Sequence, residues 1–324
     1  MLKDTLLKLL TIPGPSGFEG ACADYIESEM RSCADEIRRD VMGNLVCVKK
    51  GAPGGKRILL TAHMDEIGFI VTAIDEDGFL RVATVGGVNP KITQASHVVL
   101  ASGAQGVLFA EAGSDPVSLF IDVGASSREE AEKKAQIGDW AVVRGVVSDM
   151  GGRLAAPYMD DRCGCAVLME TMRRLGKTEN EIVAVFTTQE EVGLRGATTA
   201  GYAADPDMAI ALDVTHANDF PRTKETTHVV SRLGKGAAVK IMDRGLIAHP
   251  DVVEALEAAA AKAGVPCQRE ILLGGSTDAA AIHKSRAGVP SGVISLPCRY
   301  VHAPCEMVDL NDLEGAVRIL LALL

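Results

Sequence analysis

Residues 57–69 read RILLTAHMDEIGF, and this stretch decides the fold. The short apolar run RILLTA, preceded by the Gly/Pro loop GAPGG, predicts a strand over 57–62. His63 stands immediately beyond it, and Asp65 follows two positions on. A second strand is predicted upstream over NLVCVK (44–49), after two helices separated by the turn signal IPGPSG. Beyond Pro157 helices and strands alternate: the helix RCGCAVLMETMRRL, the strand EIVAVFTT, the helix GLRGATTAGYAA and the strands MAIALD and GAAVKIM. The helix PDVVEALEAAAAKAG, the strand GVISLP and the closing helix NDLEGAVRILLALL, with Asn311 as its expected N-cap, complete the series. Such alternation predicts an α/β chain whose sheet is covered on both faces. Ligands of such sheets bind beyond the carboxyl ends of the strands. His63, Glu190, Glu191 and Asp213 all fall at such ends.

From about residue 67 to 153 the texture is different. GFIVTAI, GFLRVAT, HVVLAS, GVLFAE and WAVVRGVV are short β-type runs broken by turn residues. One helical stretch, SREEAEKKA, interrupts them, with Ser127 as its expected N-cap. These runs predict a small β-barrel or sandwich over 67–153, inserted into a catalytic domain formed by 1–66 plus 154–324.

The acids and histidines outside the insert have the composition of a hydrolytic two-metal centre. In HMD, an imidazole can bind a metal through one nitrogen while Asp65 fixes the tautomer at the other. In MDD, one aspartate suffices to cap the following helix. The other, assigned as Asp160, is free to bridge two cations about 3.5–4 Å apart. Glu190 and Glu191 are adjacent, so in extended backbone their side chains diverge, one toward a metal and one toward water. A carboxylate facing that water can take its proton and pass it to a leaving amine. Asp213 closes a buried strand, where a carboxylate requires a positive partner, either a metal or an Arg. His302 follows RYV in the loop after GVISLP. His97, His216, His228, His249 and His283 lack comparable settings and read as surface or core histidines.

Composition removes several classes of function. The net charge of -10 argues against nucleic acid and against an anionic membrane surface. Aromatic residues make up only 4%, which leaves few platforms for stacking bases or sugar rings. No run is apolar enough to span a bilayer. The N-terminal leucines are interrupted by Lys3, Asp4 and Lys8, which is amphipathic spacing and not that of a secretory leader. The eight cysteines lack paired CxxC spacing. A disulfide framework is therefore not expected, and a cytoplasmic location is.

In this order, the segments AHMDEIGF, MDDRCG, TTQEEVGLRGA, ALDVTH, GGSTDAAAIH and RYVHAPCEMV, together with SGFEG near the start, resemble the M42 family of metallo-aminopeptidases. The resemblance covers nearly the whole chain. It implies a three-layer α/β/α catalytic domain interrupted by a small β-barrel-like domain used in assembly. It implies two divalent metal ions per subunit, zinc or cobalt. One would be held by His63, Asp160 and Asp213, the other by Asp160, Glu191 and His302. Glu190 would then be the general base, Asp65 the residue behind His63, and the bond after Asp160 a cis peptide. The implied reaction is removal of N-terminal residues from peptides by a hydroxide shared between the metals, in a homo-oligomer that is commonly a dodecamer. An M20-like deacylase or dipeptidase with the same centre is the alternative. A metal-independent glycoside hydrolase using Glu190 and Asp213 is a more distant one.

Overall fold

A computed structural model describes residues 1–113, 117–221 and 230–324. Its large sheet is centred on four parallel strands in the spatial order Glu181–Thr187, Arg57–His63, Met208–His216 and Ser291–Arg299. Their sequences are almost continuously apolar because both faces are covered. On Glu181–Thr187, Ile182, Ala184 and Phe186 enter the main core beneath one helical layer. The intervening Val183 and Val185 pack on the other face against Ala197, Ala200 and Ala204 of the helix Arg195–Ala204. The same period of two splits Ile58 and Leu60 from Leu59 on Arg57–His63.

The main core lies between the sheet and the helices Leu2–Leu9, Gly20–Met30, Met159–Arg174, Pro250–Ala263 and Leu310–Leu323. Antiparallel strands extend the sheet on both sides. Leu45–Lys49 flanks Glu181–Thr187, and Glu306–Asp309 joins Ser291–Arg299 to Arg153–Ala156. The architecture is therefore three-layer α/β/α.

Directly after the His63 strand the chain leaves this sheet and forms a closed six-stranded antiparallel barrel. Its circuit runs Gly68–Ile74, Leu80–Val85, Leu119–Asp122, Gln105–Ala110, Ser96–Leu100, Trp140–Val143 and back to the first strand. Closure removes free strand edges. The barrel has its own core, built around Phe69, Val71, Leu80, Leu108 and Ile121. The chain rejoins the large sheet at Ser148–Asp149 and Arg153–Ala156.

Two helix starts test the capping expectations. Ser127 caps Arg128–Glu132 by accepting from the Glu130 N–H, as expected. The last helix starts earlier than the sequence reading placed it. Its cap is Asp309, whose carboxylate accepts the Asn311 N–H at 3.0 Å. Either residue type can cap, but the strand Glu306–Asp309 runs directly into the helix, so the first acceptor on that path takes the role.

Candidate metal centre

The parallel strands end together, and their ends carry the site. His63 pairs in register with Thr187, which places the Glu190–Glu191 turn beside it. Asp213 lies just past the last pairing of its strand with Arg57–His63, at Ala211 opposite Thr61. His302 follows Ser291–Arg299. Asp160 follows the strand Arg153–Ala156, which runs in the same direction as the four central strands, and lies at the start of Met159–Arg174. There Asp160 and Asp161 are non-helical, and the peptide joining them is cis. The two aspartates divide the available tasks. Asp161 Oδ1 accepts the Gly164 N–H at 2.9 Å and caps the regular part of the helix. Asp160 faces the site.

Its two oxygens point to different imidazoles. Oδ1 lies 3.0 Å from His63 Nε2, and Oδ2 lies 3.3 Å from His302 Nε2. Asp213 Oδ1 is 3.8 Å from His63 Nε2, and Glu191 Oε1 is 3.3 Å from His302 Nε2. Two clusters of metal-capable atoms result, His63–Asp160–Asp213 and Asp160–Glu191–His302, each with its donor atoms within 4.8 Å of one another. Asp160 belongs to both. Glu190 belongs to neither, but lines the same cavity of about 330 Å³.

Behind these groups lie acceptors that orient them. His63 Nδ1 is 3.1 Å from the Asp65 carbonyl and 3.5 Å from its carboxylate. The Asp65 carboxylate also accepts the Glu190 N–H (2.9 Å), the Glu191 N–H (3.1 Å) and the Ser16 hydroxyl (2.7 Å). Asp65 thus ties His63 to the glutamate turn as well as holding its ring. Glu19 supports the same turn by accepting the N–H of Gln189, whose φ is +56°. His302 Nδ1 meets the Gly87 carbonyl at 3.0 Å, a contact supplied by the loop after the barrel strand Leu80–Val85. The barrel sequence holds none of the seven candidates, yet one of its loops orients His302.

The charge balance of the site is unusual. Burial pushes the carboxyls of Glu190, Glu191 and Asp213 above their ordinary range, and at Asp213 the charge of Asp160 adds to that. Asp160 goes the other way: burial opposes its charge, but His302 and His63 outweigh it and hold the carboxyl well below the usual range. Burial likewise disfavours a charged His302, yet Asp160 and Glu191 push it up to about 12. Among the described residues, no Lys or Arg pairs with Asp160, Glu191 or Asp213; the ion-pair contacts of these three acids are to His63 and His302. The Arg alternative for Asp213 therefore has no counterpart there. Gathering carboxylates in a buried space is costly unless cations meet them. Imidazole with carboxylate suits borderline divalent ions, so the donor set fits the two-metal expectation.

Three features escaped the sequence reading. His216, assigned there to surface or core, lines the cavity at the end of the Asp213 strand. Alternation along that strand places it on the face opposite Asp213, but the cavity passes round the strand end and is lined by Asp213, Val214, Thr215 and His216 alike. Glu306 and the buried pair Glu66–Arg162 support the site without entering it. Their signal was a charged residue inside an apolar setting, in DEIGF, DDRCGC and CEMV. His249 caps Pro250–Ala263, and His228 lies outside the described residues. All eight cysteines are free. Cys165 Sγ donates to the His63 carbonyl at 3.1 Å, and no cysteine joins either cluster.

The chain is similar to known proteins along nearly its whole length. The family model described as M42 glutamyl aminopeptidase matches residues 43–319. The lysyl aminopeptidase of Pyrococcus furiosus is 35% identical, over 99% of this chain and 96% of its own length. Aminopeptidase APDkam598 of the archaeon Desulfurococcus kamchatkensis superposes with a TM-score of 0.95 at 40% identity, covering 99% of this chain and 93% of that one. The TET1 peptidase of Pyrococcus horikoshii, which can assemble into a tetrahedron or a large octahedral shell, superposes at 0.87 with 32% identity, over 100% and 99% of the two chains.

Proposed function

This chain belongs to the M42 family of aminopeptidases, hydrolases of peptide bonds, and from that premise we propose that it removes N-terminal residues from peptides with two divalent cations and Glu190 as general base. The observation that carries this reading is Asp160 set between two imidazoles, one oxygen toward each. Zinc or cobalt held by His63–Asp160–Asp213 and by Asp160–Glu191–His302 would supply Lewis acidity, polarising the scissile carbonyl and acidifying water.

The chain's own residues do the rest. Nδ1 of His63 donates to Asp65 and Nδ1 of His302 donates to Gly87, so each Nε2 is the atom that would ligate a cation, giving up its proton to do so. Glu190 lies outside both clusters but on the same cavity wall, and its main chain is fixed by Asp65. Its carboxylate takes the proton from the attacking water and returns it to the departing amine. Leu194, Val214, Leu272 and Val301 give the cavity apolar walls for a side chain.

A panel of aminoacyl-anilides and N-acetyl amino acids, assayed before and after chelation, tests the proposal. Cleavage of anilides that is abolished by EDTA and restored by zinc or cobalt is expected. Preference for N-acetyl substrates would favour the M20-like alternative, and full activity in EDTA would remove the two-cation mechanism; the glycoside-hydrolase alternative requires EDTA-resistant cleavage of an aryl glycoside. The likeness to a peptidase that assembles into shells supports a homo-oligomer; the barrel is the part of the chain we assign to assembly. Light scattering should then give a mass well above that of one chain. Eight unpaired cysteines suit the reducing cytoplasm. No helix among the described residues is long and apolar enough to cross a membrane.

A further inference from the structure

We propose that Glu306 is the positioning residue of the second cluster, its one carboxylate fixing the main chains of Asp160 and His302 together and so setting the separation on which the Asp160–Glu191–His302 site depends. This rests on the two-cation reading above.

The two clusters are built differently. In the first, His63 and Asp213 sit on adjacent parallel strands, so the sheet itself sets their spacing. In the second, all three members come from turns. Asp160 lies at a non-helical kink, Glu191 follows Gln189 at φ +56°, and His302 itself has φ +64°. A residue with a Cβ adopts that left-handed conformation only when its surroundings hold it there. Asp65 holds the Glu191 end through the Glu191 N–H. Glu306 holds the other two.

Its location makes this possible. Glu306 opens the strand Glu306–Asp309 and pairs with Ala156, at the end of the strand that leads into the Asp160 kink. It is 2% exposed. Oε2 accepts the Asp160 N–H at 2.9 Å, and Oε1 accepts the His302 N–H at 2.5 Å. No Lys or Arg among the described residues forms an ion pair with it. Both partners are donors, so both side-chain oxygens must accept. A carboxylate satisfies that requirement and an amide does not, because its NH2 would oppose one of the N–H groups. The expense of burying an acid with no counter-cation is understandable if this double acceptance is what the position provides.

The test is calorimetric titration of Zn²⁺ into the full chain stripped of metal by chelator. The variants are Glu306→Gln, Glu306→Asp and His302→Ala. Wild type should show two classes of site, of which His302→Ala removes one. Glu306→Gln should weaken that same class by about tenfold or more, the usual range for loss of a group that orients ligands, and the other class clearly less, because Asp160 is its one member that Glu306 holds. The retained class also reports that the variant has folded. Glu306→Asp keeps two acceptor oxygens, and should recover part of the loss. Wild-type affinities for both classes in Glu306→Gln would overturn the inference and leave the two-cation reading standing. Equal weakening of both classes would overturn it too, since Glu306 would then serve the fold at large. A wild-type chain that binds no pair of cations would remove the two-cation reading itself.

Discussion

Replacing Glu66 by Gln is expected to destabilise the chain by about 3–5 kcal/mol, the usual result of leaving a buried charge without its partner. Replacing Arg162 by Met should cost less, about 2–3 kcal/mol at pH 7. The pair lies 2.8 Å apart with both side chains out of solvent, and it connects the turn after His63 to the helix Met159–Arg174. The asymmetry follows from what each partner can do alone. A guanidinium cannot shed its proton. In Glu66→Gln it loses its counter-charge and retains at best a neutral amide oxygen, the Cys22 sulfur at 2.9 Å and a long contact to the Leu9 carbonyl. A carboxyl can protonate. Burial already raises that of Glu66 with Arg162 present to lower it, and the Gly14 N–H remains as a partner in Arg162→Met. In that variant the folded pKa of Glu66 stands further above its unfolded value. The stability at stake is then fully present below the unfolded pKa and is lost as pH rises through the folded one. The Arg162→Met penalty should therefore shrink on going from pH 7 to pH 5, by up to about 1.4 kcal/mol per pH unit. That of Glu66→Gln should not shrink in this way. The double variant should cost less than the sum of the two, because no charge is left over. Urea unfolding of chelator-stripped protein at both pH values gives all of these quantities. A Glu66→Gln penalty below about 1 kcal/mol, or an Arg162→Met penalty that grows on acidification, would show that the pair does not carry this buried charge balance.

Other expectations concern the site directly. Glu190→Gln should keep both metals by elemental analysis and lose turnover by about 10²–10⁴-fold, the span typical of a general base; near-wild-type rates would reassign the base. Asp160→Ala should lose at least one metal, since both clusters share it, and full occupancy would exclude the bridge. At Gly87 an added Cβ would lie 2.9 Å from both Nδ1 and Cε1 of His302. Gly87→Ala should therefore displace the ring and weaken metal binding and kcat together, with little change in Tm. An unaltered kcat would show that the barrel loop is dispensable to the site.

Much of this was legible because strand ends are marked in sequence. RILLTA, AVFTT and MAIALD each stop at a polar residue, and a parallel sheet brings those stops together whatever their distance along the chain. His63, Glu190, Glu191 and Asp213 followed from that rule. Asp160 needed the further argument that one cap leaves one acid unused, and it is Asp161 that takes the Gly164 N–H. The supporting residues were harder to read. Glu306, Glu19 and Ser16 act through main-chain N–H groups and hydroxyls of distant turns, and such pairings exist only once the turns have their shape. Gly87 acts through a carbonyl, for which a sequence carries no sign. His216 misled because alternation points it away from Asp213, while the cavity wraps around the strand end. Asn311 yielded its expected cap to Asp309 because the preceding strand reaches the helix without a break.

Side chains from five separate segments are proposed to hold a pair of cations around Asp160. Anomalous diffraction at the zinc or cobalt edge, from crystals of the metal-loaded chain, tests it most directly. Two peaks are expected on either side of the Asp160 carboxylate, one contacted by His63 and Asp213 and the other by Glu191 and His302, with Glu190 free of both. A single peak, or peaks away from Asp160, would contradict the account.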